Sequence, residues 1–207
     1  MKTLKGSILS RSSHGAKEFE AQRRELIEDW LKKYDIENYN INDDFTIDVD
    51  DDVNLVRKNL MEFPDYIQFG VVSGYFSCSY NNLTSLRGAP KKVEWYFDCN
   101  NNYLTSLEGA PEKVKGGFYC SSNQLTTLEG SPKEVGSFNC ERNKLTTLKG
   151  APKKVGGDFY CNLNQLTSLE GAPKEVGGYF DCSNNFILFS VDDAKKVCRV
   201  KRTIIVK

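Results

Sequence analysis

The residues most capable of chemistry in this chain are six cysteines that recur every 20 or 21 positions: Cys78, Cys99, Cys120, Cys140, Cys161 and Cys182. Thiols in such a series could form disulfides or bind a metal. Zinc sites use close pairs such as C-x₂-C, which this chain lacks. Cysteines on neighbouring parallel strands would also point the same way, which is poor geometry for a disulfide. The spacing therefore favours small, buried, apolar side chains.

No other residue type forms a recognisable catalytic pattern. Cys198 falls outside the series, and nothing beside it suggests an activated thiol. His14 is the only histidine, and it lies in a polar stretch without a nucleophile or metal partner nearby. Phosphate-binding, metalloprotease and serine-hydrolase motifs are absent from the sequence. We therefore predict a non-enzymatic protein with no cofactor and no metal.

The cysteines belong to a longer repeat. Two residues before each lies a phenylalanine, three after lies an asparagine, and five after lies a leucine or isoleucine. The repeat reads V-x-x-F-x-C-x-x-N-x-L-T-x-L-x-G-A-P, usually with one extra residue between valine and phenylalanine. A degenerate earlier unit contains Val53, Leu55, Leu60 and Phe63. This pattern matches the leucine-rich-repeat consensus and its period.

The repeat predicts a leucine-rich-repeat solenoid, a parallel β-sheet stack of about seven short coils of roughly 20–23 residues with an N-terminal helical cap. Each unit offers a strand x-F-x-C-x, in which phenylalanine and cysteine share one face because side chains alternate. Stacked coils bury these residues together with leucine and valine. The asparagine should turn the chain and bond backbone groups from coil to coil, and Gly-Ala-Pro should bend the return path.

The chain divides into a tail, helix and cap (1–52), the repeats (53–187) and a C-terminal cap (188–207). Residues 16–34 have the spacing of an amphipathic helix. Such a helix could bind a partner, but the first expectation is that it covers the open edge of the core.

Shorter flanking segments also carry expectations. Ile41–Val49 should be extended, and residues 1–14 should be flexible. The apolar stretches Phe186–Phe189 and Thr203–Val206 should form strands that close the other edge.

Charge is balanced overall and uneven along the chain. Basic and acidic residues number 28 each, whereas residues 1–52 have a net charge of −5 and residues 188–207 of +4. This balance argues against a nucleic-acid-binding surface. No apolar run reaches the roughly 18 residues that span a bilayer, and the first residues lack a secretory core, so we expect a cytoplasmic protein with no membrane partner.

The repeat resembles the short cysteine-containing leucine-rich repeats of proteins from tailed bacteriophages and some bacteria, in blocks such as FYCSSNQLTTLEGSP (118–132). The lead-in at 36–44 and 47–50 resembles the segment before the first repeat in such phage proteins. The resemblance covers about residues 26–187 and implies a phage-derived interaction protein in the bacterial host cytoplasm. The repeat is also similar to that of bacterial effector ubiquitin ligases, whose catalytic domain this sequence lacks.

Strand residues that alternate with phenylalanine and cysteine should line the concave face, the usual binding surface of such solenoids. The predicted partner-binding residues are the tyrosines and acids in these columns: Tyr75, Tyr96, Asp98, Tyr119, Glu141, Asp158, Tyr160, Tyr179 and Asp181. Their chemistry suits a protein partner with a basic surface. Alternatively, the tyrosines only stack along the strands. The predicted function is a binding scaffold that antagonises a host defence protein; the alternative is a structural or assembly component of a virion.

Overall fold

The computed structural model describes residues 13–207, which form two helices and fifteen strands. The elements are α1 (Ser13–Lys33), β1 (Tyr39–Ile41), β2 (Ile47–Val49), β3 (Val53–Asn54), β4 (Phe69–Val72), β5 (Phe76–Ser77), β6 (Lys92–Val93), β7 (Phe97–Asp98), β8 (Lys113–Tyr119), β9 (Glu134–Asn139), β10 (Lys154–Val155), β11 (Phe159–Tyr160), β12 (Glu175–Val176), β13 (Phe180–Asp181), α2 (Val191–Val197), β14 (Arg199–Val200) and β15 (Ile204–Ile205).

The strands form two parallel ladders that run the length of the molecule. The valine ladder contains β2, β4, β6, β8, β9, β10, β12 and β14, and the phenylalanine ladder contains β3, β5, β7, β8, β9, β11, β13 and β15. β8 and β9 are long enough to belong to both. Within the described chain there are therefore about eight coils, each with two short strand segments. The predicted parallel repeat solenoid with an N-terminal helix is confirmed. The sequence repeat had suggested one strand per coil and did not count the last coil.

The core is a column of identical side chains in register. Phe97 pairs with Phe118, which pairs with Phe138, and their rings stack at centroid distances of 5.2 and 5.4 Å. The cysteine, leucine and valine columns are also buried along the stack. Each buried phenylalanine contributes about 1.5–3 kcal/mol. One coil alone could bury none of them, so the repeats stabilise one another.

The asparagine column forms the predicted ladder. The Asn102 side-chain amide donates to the carbonyl oxygens of Cys78 (3.0 Å) and Cys99 (3.2 Å), one in the preceding coil and one in its own. Its oxygen accepts the backbone N–H of Leu83 at 2.9 Å. The same pattern recurs at Asn123, and one buried amide thereby satisfies backbone groups at every turn.

The Gly-Ala-Pro turns require glycine for a steric reason. Gly109 has a φ of +85°, and a β-carbon there would lie 2.8 Å from the backbone nitrogen of Arg87. A side chain at this position would therefore be strained in conformation and would also collide with the preceding coil.

The N-terminal end of the core is covered by α1, as predicted for residues 16–34. Trp30 is buried and lies 6.3 Å from Phe63 and 6.1 Å from Phe69, measured between ring centroids. Ile41–Val49, however, is not one extended segment. It forms an antiparallel hairpin of β1 and β2, because the chain turns between Asn42 and Thr46, where Asn42 donates its backbone N–H to the Thr46 carbonyl.

The C-terminal end differs from its prediction in one segment. Thr203–Val206 contains β15, which pairs with β13 as expected. Phe186–Phe189 forms no strand; Phe186 and Leu188 are 76% and 85% exposed, and only Phe189 is buried. The chain here leads to α2, which begins after Ser190, whose hydroxyl accepts the N–H of Asp193 in a capping box.

Candidate functional site

The predicted partner-binding residues lie along the phenylalanine ladder, on the opposite side of its strands from the phenylalanine and cysteine core. Register pairs Asp98 with Tyr119, Tyr119 with Asn139, and Tyr160 with Asp181. These side chains are partly exposed, whereas the flanking phenylalanines and cysteines are buried. We call this surface the tyrosine–acid face. It holds two groups of predicted residues, which lie at its two ends.

The first group is an aromatic cluster near the N-terminal end. The rings of Tyr75 and Tyr96 stack with centroids 4.9 Å apart and planes 3° from parallel. Tyr119 follows at 6.1 Å from Tyr96, tilted by 51°. Burial of Tyr96 raises the pKa of its hydroxyl above the ordinary value. The cluster presents three neighbouring rings as one apolar surface with polar tips.

Asp98 lies beside this cluster. Its carboxylate accepts the backbone N–H of Asn100 at 2.9 Å and the hydroxyl of Ser77 at 3.4 Å. Burial raises the pKa of Asp98, and hydrogen bonds from Asn100, Ser79 and Ser77 oppose that shift. No lysine or arginine of the described chain pairs with it.

The second group lies near the C-terminal end. The hydroxyl of Tyr160 donates to Asp158 at 3.3 Å, and the other Asp158 oxygen accepts the backbone N–H of Tyr179 at 2.8 Å. Burial, followed by the Asp158 charge, raises the pKa of Tyr160. Asp181 accepts the N–H of Ser183. The guanidinium of Arg202 lies 5.9 Å from the centre of the Tyr179 ring, so a cation already occupies part of this group.

Glu141 belongs to neither group. Its carboxylate pairs with Arg142 at 3.1 Å, which neutralises it at the rim of the face. Between the two groups stand the small residues Gly117, Ser137 and Asn139, and the Tyr119 side chain leans across Gly117. The strand positions that alternate with phenylalanine and cysteine contain no lysine or arginine. Arg142 and Arg202, at other positions, contact Glu141 and Tyr179 of the face.

Sequence reasoning missed an exposed tryptophan beside the first group. Trp95 is 63% exposed and precedes Tyr96 at the corner between the ladders. In the neighbouring coils the equivalent positions are Gly74 and Gly116, so these two positions carry no side chain beside the indole. A single tryptophan in a glycine column was the signal that could have identified it. Tyr80, also exposed, lies under Arg57 at 4.8 Å.

The cysteines lie in the core, away from the tyrosine–acid face. All seven are free and buried. The thiols donate to carbonyl oxygens of the next coil, as from Cys120 to Asn139 at 3.2 Å and from Cys140 to Tyr160 at 3.3 Å. Burial raises the pKa of each thiol in the column.

The described residues contain no cluster of three or more His, Cys, Asp or Glu side chains suited to a metal. The expectations for residues 1–12 and the His14 side chain lie outside the described part.

Neither described helix is both long and apolar enough to cross a bilayer. Comparison of the chain with protein-family models, with curated proteins and with solved structures found no match.

Proposed function

We propose that this chain is a non-enzymatic protein-binding scaffold whose tyrosine–acid face receives a partner with a basic surface. The observation that carries the proposal is the cluster of Tyr75, Tyr96 and Tyr119 beside the half-buried carboxylate of Asp98. Stacked tyrosines on strands lose little side-chain entropy when they are covered, and such residues dominate protein interfaces.

Trp95 extends the same surface and has the character of an anchor residue. Its indole is largely exposed, and glycines flank it in both neighbouring coils. Tryptophan is the residue type most enriched among interface positions whose truncation costs about 2 kcal/mol or more. Burial of this indole in a pocket of the partner would add apolar area beside the first aromatic group.

Charge argues for a basic partner. Asp98, Asp158 and Asp181 lie in the strand columns, which contain no lysine or arginine. The Arg202 guanidinium of the chain itself lies over the Tyr179 ring, 5.9 Å from its centre, and this contact supports the proposal that the surface accepts cations. Lysine or arginine side chains of a partner could bind the first group in the same way, between Tyr96 and the carboxylate of Asp98.

The resemblance to phage and bacterial repeat proteins supports a further specification. A phage-encoded chain acting in the cytoplasm of its bacterial host would meet host proteins there, and occupying the basic surface of a defence protein would antagonise it. The alternative role, as a structural or assembly component of a virion, uses the same scaffold. Mass spectrometry of purified phage particles separates them, because a virion component is abundant in particles and an antagonist is rare or absent.

The binding proposal is tested with three baits in a bacterial lysate: the wild type, a face variant and a flank control. The face variant combines Trp95→Ala, Tyr96→Ala and Tyr119→Ala. The control combines Lys133→Ala, Lys153→Ala and Lys174→Ala, which change exposed lysines that directly follow the proline of a Gly-Ala-Pro or Gly-Ser-Pro turn. A specific partner is recovered by the wild type and the control and lost by the face variant.

The recovered partner is then titrated against each purified bait. Loss of one anchor of this kind weakens affinity about 30-fold, so we expect the triple face variant to lose at least that factor and the flank control to change little. Asp158→Lys with Asp181→Lys should weaken binding most at low salt, where charge attraction is least screened. Equal recovery of the same partners by the face variant and the wild type would rule out the proposed face.

A further inference from the structure

The two ends of the solenoid carry opposite charge. Residues 35–52, which form the hairpin and enter the first coil, contain eight acidic side chains and no lysine or arginine. Residues 195–207, which end α2 and form the last coil, contain six basic side chains and no acid. We call these the acidic end and the basic end. Most of these side chains are exposed.

Each end also presents a strand with one open side. Within the described chain β14 pairs only with β12 and ends the valine ladder, and β1 pairs only with β2 and flanks the other end of that ladder. β15 likewise ends the phenylalanine ladder on β13. Arg24 donates to the Ile41 carbonyl at 3.0 Å, which leaves the Tyr39 end of β1 as the part open to a further strand.

Exposed strand edges usually carry charge because like charges keep identical edges apart. In this protein, repulsion between like charges disfavours two contacts between copies: one between two acidic ends and one between two basic ends. The contact between a basic end and an acidic end is favoured, because the basic end of one copy attracts the acidic end of the next. β1 and β14 lie at opposite ends of one ladder, so stacking two copies along the axis brings them together, in antiparallel orientation because β1 runs against the ladder.

Side chains at both ends suit this contact. A cleft at the acidic end, lined by Tyr34, Asp35, Asp52, Asn54, Val56, Lys58 and Tyr75, opens beside β3, the first strand of the phenylalanine ladder, so one lysine lies beside its two carboxylates. It offers two carboxylates to the lysines and arginines around β15 of the next copy. Phe186 and Leu188, in the segment that precedes α2, are the most exposed large apolar side chains of the described chain.

We infer that this protein associates head to tail with further copies of itself, the basic end of one docking on the acidic end of the next. The contact is heterologous, so each added copy leaves one acidic and one basic end free. Association is therefore open-ended and yields a growing series of oligomers.

Sedimentation velocity of the full-length chain tests this inference over a range of concentrations at two salt levels. Salt at about 0.01 M gives a Debye length of about 30 Å, and about 1 M gives about 3 Å. We expect the weight-average sedimentation coefficient to rise with concentration at low salt and to fall to that of the monomer at high salt.

Three variants test whether the two ends form the contact between copies. The acidic-end variant is Glu37→Lys, Asp43→Lys and Asp50→Lys, and the basic-end variant is Lys195→Glu, Arg199→Glu and Lys207→Glu. These six side chains are exposed and make no hydrogen bond or ion pair within the described chain. The matched control, which reverses the same number of charges on the flank, is Lys133→Glu, Lys153→Glu and Lys174→Glu.

We expect each end variant alone to associate at least tenfold more weakly than the wild type, and the control to associate as the wild type does. Mixing the two end variants restores association, because a native basic end then meets a native acidic end. A wild type that stays monomeric at low salt overturns the inference. So does a dimer that does not grow with concentration, or association that the end variants leave unchanged.

Discussion

At the scale of single residues, the cysteine column shows how a reactive residue type can be structural. A cysteine is small enough for the narrow core beside each phenylalanine, and its thiol donates weakly to the next coil without the desolvation cost of a hydroxyl. In Cys140 this donor faces the carbonyl oxygen of Tyr160. The raised thiol pKa values follow from burial, so the nucleophilic thiolate is suppressed in the folded chain.

The thiols should therefore react in an order set by position. Burial raises the pKa of Cys182 to about 12 and that of Cys198 to about 11, and both lie in the last coils. We expect a maleimide pulse at neutral pH, read by mass spectrometry, to label Cys198 and Cys182 first and Cys120 and Cys140 last. Full denaturation should equalise all seven. If Cys120 reacts as fast as Cys198, the central core is not closed as described.

Neighbouring residues on one strand should respond very differently to truncation. Phe118 is fully buried between Phe97 and Phe138, whereas Tyr119 lies on the face. Phe118→Ala should lower the free energy of unfolding by about 3–5 kcal/mol because it leaves a cavity. Tyr119→Ala should cost about 1 kcal/mol or less. Urea denaturation measures both, and similar losses would contradict the assigned strand faces.

At the scale of elements, the strands of most coils are only two residues long, and most of the repeats also have a buried asparagine at the turn. Asn123 donates to the carbonyl oxygens of Cys99, Cys120 and Ser121 and accepts the N–H of Leu104. Each satisfied group would otherwise be buried without a partner, at about 1–3 kcal/mol. The ladder of amides therefore fixes the register between coils.

Two substitutions at this turn should differ in their pH dependence. Asn123→Ala should cost at least about 2 kcal/mol. Asn123→Asp should cost more at pH 7, because a carboxylate would face three carbonyl oxygens. The pKa of the new Asp would lie above its unfolded value of about 3.9, so its penalty shrinks as pH falls through the folded pKa. Denaturant midpoints at pH 7 and about pH 4 test this; a penalty that does not shrink at the lower pH contradicts it.

The short helix α2 should depend on its N-cap. The Ser190 hydroxyl and backbone N–H hold the Asp193 carboxylate, and with Lys196 they lower its pKa to about 2. Ser190→Ala should remove about 1 kcal/mol of cap stability and speed amide exchange of α2 and β15 about fivefold. Because the folded pKa of Asp193 is lowered, the cap contributes fully above about pH 3.9 and is lost as pH falls toward 2. Exchange in β8 should not change, and a change there would mean that the effect is not local.

The sequence correctly predicted the elements whose side chains repeat. Its predictions were wrong in segments that occur once, such as the β1–β2 hairpin and Phe186–Phe189. Periodic Phe, Cys, Asn and Gly identified the core, the turns and the columns of the face. The hairpin of β1 and β2 occurs once, so no period marked its turn. Phe186–Phe189 resembles a strand in composition, yet the capping box at Ser190 redirects the chain into α2. The aromatic stacking around Tyr96 depends on rotamers that spacing alone does not determine.

At the scale of the whole molecule, stability is a sum of contacts between neighbouring coils, so the two ends need not be equally stable. The N-terminal end is covered by the buried residues Ile27, Trp30 and Leu31 of α1. The C-terminal end has only the short α2 and two-residue strands, with Ala194 the one buried residue of that helix. The N-terminal end of the core is therefore more completely covered than the C-terminal end.

We expect this asymmetry to govern how the protein opens. Hydrogen exchange followed by mass spectrometry should show the fastest exchange in α2, β14 and β15, the slowest in β8 and β9, and intermediate protection near α1. Trp30→Ala removes the indole beside Phe63 and Phe69 and should cost about 3–5 kcal/mol. In that variant exchange should rise first in β2 and β4, so that the chain opens from both ends. Uniform loss of protection along all coils would instead mean that the stack unfolds as one cooperative unit.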